Sequence, residues 1–346
     1  MNEVAFRLNN EERPMYCPYC GIDHDDATTI RSVEHIVPYG IGGSDNLTIL
    51  TCDKSNNDLG STVDAPFMES FAVRAKRFFL SLESNKGNAP TLDLGGIGWI
   101  DGKEVPISYI ISGDTKELKI GKPSVVKTPN GDGTEHWAVS GDPAQARQIL
   151  EGKLRKQMAL GKNVILEDGT PLRLEDLDRI FAERTKTIVN PSVLKTTQHD
   201  YLEFARFFSK LALAMGHFHL GESFSRSATG DRLRKNMNAE AMEEVTPYGH
   251  IWPETEPVQG ALNMIAKEDH HTLVIMDGEV PTLLVSLFGE IGALIPLGEA
   301  PVGRLPTFSD RGMVWRIGLP SRVLRRLTIL EMIEERLAPL RQPIRE

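Results

Sequence analysis

The chain has 346 residues, 40% of them hydrophobic and 25% charged, with a formal net charge of -9. These values are those of an ordinary globular protein of about two domains, and they argue against nucleic-acid binding driven by overall charge, though an acidic protein can still carry a local basic face. Cys17, Cys20 and Cys52 are the 3 cysteines; so few, so close together, they exclude a disulfide framework and suit a reducing, cytoplasmic setting.

Taken in chain order, the first 62 residues are short segments punctuated by Cys, Gly, Asn and Asp. The N-terminus lacks the apolar core of a signal peptide, and no run reaches the roughly 20 apolar residues of a membrane span, so a soluble protein with no membrane partner is expected. "TIRSVEHIV" and "LTILT" alternate as strands, and "DKSNNDLG" reads as a helix start, with Asp53 at the N-cap and Gly60 as its stop. From Asp64 onward Phe67, Phe71, Ala75, Phe78 and Leu82 recur at helical spacing, and Arg74, Lys76 and Arg77 take the other side. "SNKGNAPTLDLGG" has linker composition, which predicts one domain over residues 1–90 and a larger one over 91–346.

Residues 98–140 favour strands, with a hairpin turn at Asp101-Gly102. Asp142-Pro143 opens a helix that Gly161 closes. "DYLEFARFFSKLALAMGHF", from Asp200, is the most apolar helix of the chain. Two or three strands with a turn at Asp277-Gly278 follow, and then "SRVLRRLTILEMIEERLAPL", which reads as an amphipathic helix with Arg322, Arg325 and Arg326 near its start.

The chemistry gathers near the N-terminus. Cys17-Pro-Tyr-Cys20-Gly21 is a zinc half-site, because two thiolates three positions apart reach one tetrahedral ion across a tight turn. Cys52 supplies a third thiolate. Ser55 is a poor zinc ligand, and His24 and Asp53 are the better candidates for the fourth place. Glu34 is a hard oxygen ligand for Mg²⁺, and the side-chain oxygen of Asn56 can complete such a site. His35 is suited to act as a general base toward water. Neighbouring strand residues point to opposite faces, so Glu34 and His35 can serve one site only where the strand ends or bends. Asn46, after "GIGGSD", is suited to pin that loop.

The order Cys-x-x-Cys, Glu-His-Ile-Val-Pro, Gly-Gly-x-x-Asn, then Cys-x-x-Ser-Asn and Gly resembles the HNH endonuclease family over roughly residues 15–65. The resemblance implies a ββα-metal module with Glu34 as the metal carboxylate and His35 as the general base. It also implies Asn46 as the loop brace and Asn56 as the second protein ligand of the catalytic ion. Cys17, Cys20 and Cys52 match three of four structural zinc cysteines, and Ser55 departs from the fourth. The implied protein is α+β: an N-terminal HNH module followed by a larger α+β domain with a mixed sheet and several helices. The implied activity is hydrolysis of phosphodiester bonds in DNA, with RNA also open, using Mg²⁺ or Mn²⁺ and one structural Zn²⁺. The setting would be anti-phage defence or a mobile element, and the C-terminal domain would meet a target, partner or activator. The alternative is a catalytically inactive zinc- or nucleic-acid-binding module in an interaction protein.

Other candidates carry less. Glu135-His136 repeats the Glu-His pair without the loop and helix that follow the first. His217, His219 and Glu222, and the pair His270-His271, show no recognised metal spacing. Arg226, Arg232, Arg234 and Lys235 either grip phosphate or line a solvated helix face beginning at Asp231.

Overall fold

The computed structural model describes residues 14–25, 29–83, 91–100, 103–112, 115–120, 124–129, 135–140, 143–162, 164–165, 170–184, 193–194, 200–299 and 311–338. Near the N-terminus β1 (Met15–Cys17) and β2 (Ile22–His24) form an antiparallel hairpin. β3 (Arg31–His35) and β4 (Thr48–Cys52) form a second, and α1 (Asp53–Leu59) follows β4 directly. Gly60 does not stop this helix: its φ of -56° is helical, and the chain runs through a π-helical turn, Gly60–Asp64, into α2 (Ala65–Glu69). The helix expected from Asp64 is broken at Ser70, where ψ is 142°, and resumes as α3 (Phe71–Phe79).

The next segment carries β5 (Thr91–Asp93), β6 (Gly96–Ile100), β7 (Lys103–Ser112), β8 (Thr115–Ile120), β9 (Ser124–Pro129) and β10 (Glu135–Ser140), then α4 (Pro143–Ala159), α5 (Leu177–Arg184) and β11 (Val193–Leu194). The strands expected over 98–140 are there; the turn at Asp101-Gly102 and the cap at Asp142 lie outside the described residues. Leu154, Leu172 and Leu177 form a small core of their own.

The last segment opens with α6 (Tyr201–Leu220), capped by Asp200, whose carboxylate accepts from the Leu202 N–H at 2.9 Å. Its middle is largely apolar, and Phe204, Ala205 and Phe207–Gly216 are all buried. Then come α7 (Glu222–Ser225), α8 (Ala228–Met237), β12 (His250–Ile251), α9 (Gln259–Ile265), β13 (His270–Met276), β14 (Thr282–Leu287), β15 (Ile291–Pro296), β16 (Gly312–Gly318), β17 (Leu324–Thr328) and α10 (Ile329–Leu337). Six strands form one sheet in the order β12-β15-β14-β13-β16-β17. Every described strand pairing is antiparallel, so the sheet expected to be mixed is built from hairpins and meanders. Its two faces follow the two-residue period of a strand. Leu273, Ile275, Leu283 and Val285 join the main core with α6, while Val274, Met276, Leu284 and Val314 meet α9 and α10.

Two features differ from expectation. The final helix begins only at Ile329, where Thr328 and Glu331 form a reciprocal cap; Leu324–Thr328 is an edge strand. Leu324 and Leu327 sit three apart, which suits a helix, but here they pair with Ile317 and Val314 of β16. The chain also divides differently from a boundary near residue 90. Residues 1–90 and 199–346 make one compact unit, and 91–198 make the other. Phe67 of α2 shows why: it is fully buried and stacks on Phe207 of α6 with ring centroids 3.6 Å apart.

His271 ties β13 to the loop after β3. Its Nε2–H donates to the Ile41 carbonyl at 2.7 Å, and its Nδ1 accepts from the Phe288 N–H at 3.3 Å. Burial pushes its pKa down to about 4, and the neighbouring His270 adds to this. An unfolded histidine takes its proton below about pH 6.5, so between there and pH 4 the unfolded chain binds more protons. Stability from this site is therefore complete above about pH 6.5 and is lost as pH falls toward 4. At about 1.4 kcal/mol per pH unit the window is worth roughly 3 kcal/mol. Urea midpoints measured from pH 7 to 5 should fall accordingly, and His271→Gln should flatten that slope.

Candidate active site and metal centre

The site is built on one hairpin. Across it Arg31 faces Cys52, Ser32 faces Thr51, Glu34 faces Ile49 and His35 faces Thr48. By the period of a strand Ser32 and Glu34 share a face. Asn56, one turn into α1, donates from Nδ2 to Ser32 Oγ at 2.6 Å, so the amide lies on the face that carries Glu34. His35 is the last residue of β3, where the strand ends.

The loop between the strands folds back tightly. Gly42 has a φ of 98°, and a Cβ on Gly43 would meet the Val37 carbonyl oxygen at 1.7 Å, so both positions require glycine. This return brings Asp45 to His35, with Oδ1 2.8 Å from Nε2. A proton on Nε2 that donates to this carboxylate leaves Nδ1 with its lone pair. Asn46 is exposed and donates its backbone N–H to Ser44 Oγ at 3.4 Å. The contact on the imidazole thus comes from Asp45, one residue before the asparagine named from the sequence. Tyr39 packs edge-on to His35, and Arg322, at a φ of 60° in the turn before β17, lies 3.2 Å over the Tyr39 ring.

Glu34 is 8% exposed and does not stand alone. Lys210, in the middle of α6 and 2% exposed, donates from Nζ to Glu34 Oε1 and to Asp64 Oδ2. Burial pushes both carboxyls up, and Lys210 pulls them back. Burial alone would lower Lys210, but the Asp64 and Glu34 charges outweigh it and hold its pKa above the ordinary value. Asp64 Oδ1 and the Tyr19 hydroxyl are buried without a hydrogen-bond partner among the described residues.

A second constellation lies at the base of the hairpin. The donor atoms of Cys17, Cys20, His24 and Cys52 all lie within 4.8 Å of one another. Cys20 Sγ is 3.1 Å from His24 Nε2 and 4.0 Å from Cys52 Sγ. Three sulfurs and one imidazole at these spacings suit tetrahedral zinc, whose Zn–S bonds of about 2.3 Å set edges of about 3.8 Å. His24 is placed to take the fourth corner, and Ser55 Oγ instead lies 3.1 Å from Cys52 Sγ, within hydrogen-bond reach. Burial pushes the Cys20 thiol up to about 11. Burial also acts to raise Cys52, but hydrogen bonds from Ser55, Cys17 and Cys20 bring it below the ordinary thiol value.

Hairpin, loop, helix and Cys/His cluster occur in the order expected for a ββα-metal module. Residues 17–72 match the family model described as HNH endonuclease. No curated protein and no solved structure gives a match. The HNH family is one of metal-dependent nucleases, which implies a nucleic-acid substrate, and the Cys/His cluster is a site that could hold zinc. The HNH segment contains Glu34, His35, Asp45, Asn56 and Asp64; Lys210 lies far outside it.

The remaining sequence candidates do not join this site. His217 bonds Ser225, His219 lies near Asp277, and His270 bonds Asp269. Arg226 is held by Asp23 and Glu222 and lies 4.0 Å over Tyr16. Arg234 donates to the Pro18 and Ser225 carbonyls at 2.8 and 2.6 Å. These two arginines pin the cysteine-bearing hairpin to α7 and α8, so the sequence reading that they grip phosphate has a structural competitor. The side chains of Glu135 and His136 lie outside the described residues. No helix among the described residues is long and apolar enough to cross a membrane.

Proposed function

We propose that this protein is a metal-dependent endonuclease that hydrolyses phosphodiester bonds, with DNA as the substrate. His35 takes the proton from the attacking water, and Asp45 keeps the imidazole in the tautomer that can do so. Glu34 and Asn56 would hold Mg²⁺ or Mn²⁺, for which a carboxylate and an amide oxygen are fitting donors. When bound, that ion would neutralise charge on the scissile phosphate and stabilise the leaving oxygen. Asn46 helps shape the loop that returns to His35. Cys17, Cys20, Cys52 and His24 would hold structural zinc, which ties β1, β2 and β4 into one support for the hairpin. Three free thiols suit the cytoplasm. Anti-phage defence is the setting favoured, because a nuclease joined to a large second part suits a guarded effector.

The observation that carries this reading is the Asn56–Ser32 bond, which sets the amide on the face that carries Glu34, one residue before His35. A second reading, an inactive zinc- and nucleic-acid-binding module, is favoured by one observation: an ammonium already sits on Glu34. Supercoiled plasmid DNA distinguishes them. Incubation with Mg²⁺ or Mn²⁺ is expected to nick or linearise it, and EDTA to prevent this. Intact plasmid with either ion, alongside a retarded protein–DNA band, would favour the second reading.

A further inference from the structure

Lys210 needs a reason to be where it is. The helix around it is lined by Phe207, Phe208, Leu211 and Ala214, all at most 1% exposed. An ammonium in such surroundings is tolerated only when paired. Its partners come from the HNH segment, so α6 contributes the ammonium that Glu34 and Asp64 share.

Two opposed roles fit a lysine on a candidate metal carboxylate. It could stand in place of the ion, or it could hold the carboxylate ready for one. Three observations favour the second. Lys210 bonds Glu34 through Oε1, so Oε2 is not used by it. Two carboxylates share one ammonium, so one lysine cannot neutralise both when they are ionised, and such a group attracts a further cation. Asp64 bonds the ammonium through Oδ2 and fixes it from the other side. Carboxylates that bind metal are themselves usually held by hydrogen bonds from behind, and those partners set ligand orientation.

We infer that Lys210, steadied by Asp64, is a positioning residue of the nuclease site: its ammonium holds the Glu34 carboxylate in the orientation that receives the divalent ion. The inference rests on the reading of Glu34 as a metal ligand. It makes the HNH segment dependent on α6 for a competent site, in keeping with the one compact unit that the segment forms with residues 199–346.

The test uses the full chain, saturated with Zn²⁺ so that the cysteine site is filled, and Mn²⁺ as the probe. Mn²⁺ binding is followed by electron paramagnetic resonance, with Glu34→Gln as the reference for loss of the ligand. The double variant Lys210→Met/Asp64→Asn removes one positive and one negative charge, so the buried net charge is unchanged. Its Mn²⁺ affinity is expected to fall about 10–100-fold, the usual cost of losing such a partner. The Mn²⁺ concentration giving half-maximal plasmid cleavage should rise in step. Lys210→Arg, which keeps the charge, should recover part of the affinity, and it serves if the double variant does not fold. Unchanged or tighter Mn²⁺ binding in the double variant would overturn the inference, because the ammonium would then be a competitor of the ion; where only Lys210→Arg folds, tighter binding in it would do so. Absence of Glu34-dependent Mn²⁺ binding in the wild type would overturn it as well. Glu34-dependent binding without DNA cleavage would defeat the nuclease reading and leave the positioning role standing.

Discussion

His35→Ala is expected to lower metal-dependent plasmid cleavage by about 10²–10⁴-fold, the range for loss of a general base. The substitution is a clean one. The His35 side chain is 25% exposed at the end of β3, and its hydrogen bond runs to an Asp45 that is 79% exposed. Little packing is lost, so the melting temperature should stay close to that of the wild type. Glu34 and Asn56 are untouched, so Mn²⁺ affinity should persist while turnover disappears. Asp45→Asn should have the same sign with a smaller effect, because the value of this exposed hydrogen bond lies in fixing the tautomer. Equal cleavage by wild type and His35→Ala would remove the assignment of the base.

Loss of zinc is the second large effect, and it falls on stability. A structural zinc site is worth about 10–16 kcal/mol in isolated finger peptides, and a hairpin already packed on α7 and α8 depends on it less. A loss of about 3–5 kcal/mol lowers the melting temperature by roughly 10 °C in a unit of this size. Cys17→Ala or chelation should produce that fall, measured by calorimetry with zinc content determined in parallel. His24→Ala should reduce bound zinc as the cysteine substitutions do. Ser55→Ala should leave zinc in place, since the serine hydrogen-bonds Cys52 Sγ and is a poor zinc ligand beside the His24 imidazole. If Ser55→Ala released zinc and His24→Ala retained it, the fourth ligand would be wrongly placed.

Local pattern made much of this protein legible. The alternation in "TIRSVEHIV" and "LTILT" became β3 and β4, and the apolar run after Asp200 became α6 with its cap. The match to the HNH family falls where Glu34, His35 and Asn56 had been read. Contacts between distant residues were not legible. Glu34 and Lys210 are 176 residues apart, and nothing in the N-terminal motif points to its partner. The signal was in α6: a lysine set in "FFSKLALAMG" must have a buried anion to meet. His24 was named from the sequence together with Asp53, and only the cluster of Cys17, Cys20, His24 and Cys52 separates the two. Asp45 was passed over for its neighbour, since which of two adjacent loop residues meets an imidazole depends on the return of the glycine loop. Leu324 and Leu327 show the limit of periodicity, since a three-residue spacing suits a helix face and, in a short edge strand, can mislead.

Two ions are expected in two separate sites of the N-terminal segment, one between the two hairpins and one on β3 and α1, and anomalous diffraction tests this most directly. Crystals of the zinc-loaded full chain soaked in Mn²⁺ would be recorded at the absorption edges of both metals. The expected result is a zinc peak among Cys17, Cys20, His24 and Cys52, and a separate manganese peak between Glu34 and Asn56 with Lys210 still bonded to Glu34. A manganese peak that avoids Glu34 and Asn56, or none on the hairpin at all, would contradict it.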